Sequence, residues 1–245
     1  MSASAPTLAR RMAAEAVGSA TLVAIVAGSG IAAQRLSPND IGIQLFENST
    51  ATVLGLAVLI VLFGPVSGAH FNPAVSLADW LAGRRHSTGL TGAETAAYIT
   101  AQTFGAIAGA VLANLMFNLP AAQISTHHRV DAGHLLGEVV ATAGLIALIF
   151  ALARTGRTAL APTAVAAWIG AAYWFTSSTS FANPAVTVGR MFTDTFAGIA
   201  PTSAPGFIAA QLFGALIGLG LVALLYPSAP TPADDVVMPH SHTPD

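Results

Sequence analysis

The chain has no cysteine, which removes disulfides, thiolate metal sites and thiol nucleophiles, and leaves mercurial reagents nothing to attack. It has no lysine either, so all nine basic residues are arginine. Charge of both signs is scarce: 8% of the 245 residues are charged, and the net charge is −2. Without a basic cluster there is no footprint for a nucleic acid. Soluble chains carry charge on about a quarter of their residues, so this composition excludes that class as well. No Ser/His, paired-Asp or His-Glu-x-x-His grouping stands near the middle of an apolar segment, so nothing points to an enzyme or a bound cofactor.

What fills the space is apolar residues, at 54%. About 20 such residues in helix cross roughly 30 Å of hydrocarbon. Six stretches qualify, near 12–34, 48–66, 94–118, 134–153, 159–178 and 204–226, which predicts an all-α membrane protein with six crossing helices. Arg10-Arg11 ahead of the first stretch suggests a signal peptide, but the stretch is full length and carries Glu15, so it reads as a retained helix. With both termini cytoplasmic, Arg10, Arg11, Arg84, Arg85, Arg154 and Arg157 fall inside and Arg35, Arg129 and Arg190 outside. That bias fits a multi-pass protein of the inner (plasma) membrane.

The chain also repeats itself. Phe71-Asn72-Pro73-Ala74-Val75-Ser76-Leu77 returns 111 residues later as Ala182-Asn183-Pro184-Ala185-Val186-Thr187-Val188. Ala101-Gln102-Thr103-Phe104-Gly105-Ala106 returns as Ala210-Gln211-Leu212-Phe213-Gly214-Ala215, and Glu15 and Glu138 each open the first apolar stretch of a half. The halves, about 10–118 and 134–226, hold three spans each, so the second must enter from the opposite side: an inverted repeat. Residues 227–245, rich in Pro and Asp, read as a disordered tail of one channel-sized domain.

Asparagine is a preferred helix cap and proline a preferred first helical residue, so each Asn-Pro marks a helix start. Only about eleven apolar residues follow Asn72, and a similar length follows Asn183. At 1.5 Å per residue that is half a membrane, which predicts two re-entrant half-helices meeting head to head. The Gly, Ser and Thr-rich approaches, 64–71 and 176–182, would be irregular backbone, tolerated at such depth only where it lines a cavity. The carbonyls of Gly68, Ala69, His70, Thr179, Ser180 and Phe181 would form a polar ladder. At its centre the amides of Asn72 and Asn183 would donate to a solute oxygen, with two helix N-termini disfavouring cations.

On these motifs, the paired Asn-Pro-Ala, His70-Phe71-Asn72-Pro73-Ala74-Val75 and the Ala-Gln-x-Phe-Gly pair, the chain resembles the aquaporin and aquaglyceroporin family over about 10–226. The resemblance implies a homotetramer with a pore in every subunit and passive flux of small neutral solutes such as water and glycerol. It also implies an outer constriction of four positions, the aromatic/arginine filter. Counted without gaps from the motifs, these fall at Thr52, Ala171, Ser180 and Val186. Valine stands where typical members have arginine, and Thr187 where glycerol facilitators have aspartate, so the expected filter is small and nearly neutral. The chain is similar in this to a bacterial branch associated with arsenite and methylated arsenicals.

Other polar residues keep two readings each. Glu15 and Glu138 either take part in function or accept hydrogen bonds from the irregular approaches. His70 is either a proton relay or a loop brace that lines the pore, and Arg190 either guards the outer vestibule or pairs with Asp194 or headgroups. His127-His128 either binds metal or sits in a solvated loop, and Trp80, Trp168 and Trp174 suit interfaces or packing. An ion-coupled secondary transporter also uses inverted repeats and broken helices. It would need titratable or ion-coordinating groups at the break, where this chain has Asn, Pro and Ala.

Overall fold

A computed structural model describes residues 5–84 and 88–226; the tail beyond 226 and Arg85 lie outside the described residues. Among the described residues there are eight α-helices and no strand: α1 (Leu8–Leu36), α2 (Ile41–Ser67), α3 (Pro73–Gly83), α4 (Gly92–Met116), α5 (Ala132–Arg154), α6 (Ala161–Phe175), α7 (Pro184–Gly189) and α8 (Ala204–Leu225). Six cross the membrane, and α3 and α7 are the half-helices. Five of the six, α1, α2, α4, α5 and α8, are each long and apolar enough on their own. The sixth, α6, has 15 residues behind a 3-10 turn at Thr158–Leu160. It stops short of the expected 178 because the chain from Thr176 already turns into the bundle.

The caps explain where helices begin. Thr91 and Glu94 form a reciprocal capping box on α4, and the side chains of Asp131 and Thr7 accept amides of the first turns of α5 and α1, each satisfying a donor that the helix leaves open. Proline opens both half-helices, and Pro65 lies inside α2. The approach to the first half-helix is therefore shorter than expected: Gly64 to Ser67 are helical, because a last-turn proline inside a packed bundle leaves one amide fewer to satisfy.

Two glycine pairs set the helix crossings. A Cβ on Gly105 or Gly109 of α4 would lie 2.2 or 2.1 Å from the carbonyl oxygens of Ala16 and Ala20 on α1. On Gly214 and Gly218 of α8 it would lie 2.5 and 2.6 Å from those of Val139 and Ala143 on α5. The pairs α1/α4 and α5/α8 are thus the same close crossing used twice, the approach that small residues permit between membrane helices. Leu54, Val58, Leu62, Phe104, Phe213, Leu216 and Leu224 are exposed on the outer surface. In water such a surface would be a liability, but a bilayer solvates it.

Candidate functional site

The site begins with backbone. Between α2 and α3 the chain descends through Gly68, Ala69 and Phe71, with φ of 82°, 49° and 46°. Between α6 and α7 it descends through Thr179, Ser180 and Ala182, at 59°, 49° and 47°. Left-handed conformations cost non-glycine residues about 1–3 kcal/mol each, so something must hold them. Glu15, fully buried on α1, accepts from the Ser67 hydroxyl (2.6 Å), the His70 and Phe71 amides (3.0 and 2.7 Å) and Gln102 Nε2 (2.7 Å). Glu138 on α5 accepts from the Phe181 and Ala182 amides (2.9 and 2.8 Å) and Gln211 Nε2 (2.6 Å). A carboxylate surrounded by donors makes hydrogen bonds roughly twice as strong as neutral ones. Gln102 also donates to Ser76, and Gln211 to Thr187, which ties each brace to its half-helix. Both glutamines stood out only as repeat matches, although a lone amide in an apolar span is itself a signal.

At the centre each asparagine does two jobs. Asn72 Oδ1 accepts the Ala74 amide, and Asn183 Oδ1 those of Ala185 and Val186. Asn72 Nδ2 donates to the Ala182 carbonyl and Asn183 Nδ2 to the Phe71 carbonyl, both at 2.7 Å. The amides expected to donate to a passing solute thus also stitch the halves together. Each NH2 has two protons, which leaves one free to face the cavity that both asparagines line.

One cavity reaches from His70 past the asparagines to Arg190. Its wall is largely apolar, with Leu22, Val26, Leu56, Ile60, Leu145 and Ile149 among its residues. Ala69, His70, Phe71, Ser180, Phe181 and Ala182 line it, and Gly68 and Thr179 do not. The stretch that lines the cavity is therefore set about one residue further along than counting suggests, since Gly68 caps α2. His70 Nδ1 lies 3.0 Å from Ser76 Oγ, with its ring edge-on to Tyr98.

Three of the four expected filter positions, Thr52, Ser180 and Val186, line the cavity, and Ala171 does not. It is exposed on the outside of α6. Residues four apart share a helix face and those two apart lie roughly 200° round the axis. Ile169 and Tyr173 therefore face the cavity and Ala171 the exterior. The Tyr173 hydroxyl is 3.2 Å from Thr52 Oγ1. The cavity wall also includes Tyr173, Phe181 and Arg190, residues larger and, for Arg190, more polar than the four counted positions.

Arg190 is buried at 2% exposure and does not pair with Asp194. Asp194 instead accepts the Thr126 amide at 2.8 Å, which holds its carboxyl below the ordinary value, and lies 3.8 Å from His127 Nε2. His128 contacts Thr202, so the two histidines serve separate loop contacts. Trp168 donates to the Ala141 carbonyl and Trp174 to Ser49.

A re-entrant backbone braced by buried carboxylates, two half-helices capped tip to tip, and a cavity running along them define a membrane channel of the aquaporin fold. The chain belongs to the major intrinsic protein family, whose description matches residues 2–180. It is 50% identical over 224 residues to the aquaglyceroporin AqpS of Rhizobium meliloti (strain 1021), covering 91% of this chain and 93% of that one. It is 34% identical to the glycerol uptake facilitator protein of Pseudomonas aeruginosa, covering 94% of each. The X-ray structure of the aquaglyceroporin from Plasmodium falciparum shares the fold, with a TM-score of 0.65 at 17% identity over 89% of this chain and 97% of that one. Members of this family are channels, not enzymes.

Proposed function

We propose that the pore conducts water and glycerol-sized neutral solutes passively and in both directions. The protein would be a homotetramer in the plasma membrane with both termini cytoplasmic, and every subunit would carry its own pore. The observation that carries this reading is a cavity whose wall is largely apolar but which also takes in both re-entrant segments and the two asparagines. A polyol likewise combines apolar and polar groups. The names of the relatives in Rhizobium and Pseudomonas support glycerol. Arsenous acid, neutral at pH 7 with three hydroxyls, belongs to the same shape class, and valine at 186 supports its inclusion.

An ion-coupled carrier is disfavoured by the same geometry. The two carboxylates near the break, Glu15 and Glu138, are occupied by backbone amides and glutamines, which among the described residues leaves no open carboxylate there for a coupling ion. The test is swelling of proteoliposomes in water, glycerol, urea and arsenous acid side by side. Flux linear in concentration and independent of ion gradients is expected; saturation or gradient dependence would overturn the channel reading. Val186→Arg should lower the glycerol-to-water ratio by about tenfold or more, equivalent to about 1.4 kcal/mol.

A further inference from the structure

The residue that stands 111 positions before Arg190, at the same place in the first half-helix, is Asp79. Each ties down the chain that returns after its half-helix: Asp79 Oδ2 accepts the Leu90 amide at 2.7 Å, and Arg190 Nε donates to the Ala197 carbonyl. The fold is duplicated but the charge is inverted. Asp79 is buried at 2% exposure and does not line the cavity. Arg190 lines it, one turn beyond Val186 and on the same helix face.

Among the described residues Arg190 makes no ion pair, and the nearest acid acting on it, Glu138, does so only at longer range. The Arg190 Cζ lies 3.4 Å from the centre of the Phe181 ring. Arg129, from the segment between α4 and α5, lies 5.5 Å from the same ring and donates to the carbonyls of Phe196 and Gly198. Two guanidinium groups thus converge on Phe181 and are held by three successive backbone carbonyls and a ring. This arrangement solvates a buried arginine with dipoles and a ring in place of an ion pair at contact distance.

We infer that Arg190, backed by Arg129, supplies the fixed positive charge that Val186 leaves out, and that this displaced charge excludes cations from the outer end of the pore. The inference rests on the channel reading and adds to it the residue that discriminates by charge. Moving the charge one turn along leaves the wall beside Val186 apolar, so width and charge are set by different residues. In this arrangement a bulky neutral solute meets valine, and a cation meets arginine.

Urea and guanidinium are planar, nearly equal in size and differ in charge, so the ratio of their fluxes reads charge alone. In proteoliposomes bearing the full chain, Arg190→Gln should raise the guanidinium-to-urea ratio by about tenfold or more, the factor equivalent to about 1.4 kcal/mol. Arg190→Lys, which restores a charge without the planar fork, should return the ratio toward wild type. An unchanged ratio in folded Arg190→Gln overturns the inference. So does a lysine variant that leaks as much as the glutamine variant, since that marks a loop tie. Should Arg190→Gln fail to fold, Arg129→Gln decides: a smaller rise supports the charge, and no rise overturns it. If the wild type excludes urea, water becomes the neutral reference, so a failed solute reading and a failed charge reading remain separate.

Discussion

The first half-helix runs eleven residues and the second six before tightening into a 3-10 turn at Arg190–Phe192, although both start from Asn-Pro-Ala-Val. The sequences part after the valine. Ser76-Leu77-Ala78-Asp79-Trp80-Leu81-Ala82 holds leucines and alanines, which favour helix, whereas Thr187-Val188-Gly189 sets two β-branched residues before a glycine. Gly189 is not free to be larger, since a Cβ there would lie 2.6 Å from the Ala106 carbonyl oxygen. The place of the missing helix is taken by loops. The Gln123 and Ser125 amides bond the Phe192 and Met191 carbonyls, and Asn114 gathers the Ala121 and Phe192 carbonyls and the Thr193 hydroxyl. One mouth is thus built from helix and the other from braced loop, and the loop-built mouth carries the departures in side chain and charge. A duplicated scaffold can vary at one end while the other keeps its form.

The comparison can be broken most sharply at the buried glutamates. Glu15→Ala strands four donors, and Glu138→Ala strands two amides, Gln211 and Ser178. At about 1–3 kcal/mol per orphaned group, each should destabilise by on the order of 4 kcal/mol or more and cut the yield of folded protein. Thermal unfolding in detergent checks this, and a mild effect in one half alone would show that the halves are braced differently. The helix crossings come next. Gly109→Ala should cost about 1–3 kcal/mol through overpacking and Gly218→Ala less, because the added carbon of the first meets a carbonyl oxygen at 2.1 Å and that of the second at 2.6 Å; the order of the two unfolding temperatures tests it.

Asn72→Ala and Asn183→Ala each remove a cap and a cross-tie, about 1 kcal/mol for each contact. They should lower stability by about 2 kcal/mol and reduce swelling rates alike. A variant with wild-type stability and flux would mean that the stitch is idle. The smallest effect is confined to the loop-built mouth. Asp194 has a folded value held down by the Thr126 amide. Its contribution is therefore present above the unfolded value of about 3.9 and is lost as pH falls through the lower folded value. Protection of the Thr126 amide from hydrogen exchange, corrected for intrinsic rate, should persist from pH 7 to about 4 and fail below. Loss between pH 7 and 5 would show that the carboxylate is not the tie.

Much of the fold was legible because repetition and apolar runs are properties of the sequence itself: six spans, two half-helices and inverted halves followed from motif spacing. The glutamates stood out because ionisable groups are rare in such spans. Phase was harder to read. Counting back from the second motif selected Ala171, whereas the face of α6 turned inward depends on where that helix stops and how it packs, which brings Tyr173 to the pore. The fold-back of Arg190 depends on the Ala197 carbonyl and the Phe181 ring, contacts set by a loop of no regular period. The helical course through Pro65 and the shortness of α7 were hidden for a similar reason, since neighbours override local propensity.

Ala69, Phe71, Ser180 and Ala182 reach the cavity from left-handed backbone, so peptide groups stand there beside the polar side chains of His70, Asn72, Ser180 and Asn183. A point mutation cannot delete a carbonyl. Substitutions along those segments change strain and bulk while the peptide groups remain, so that part of the wall is sheltered from ordinary genetic change. The other cavity-lining side chains, Thr52, Tyr173, Val186 and Arg190 among them, can be exchanged singly without removing that backbone.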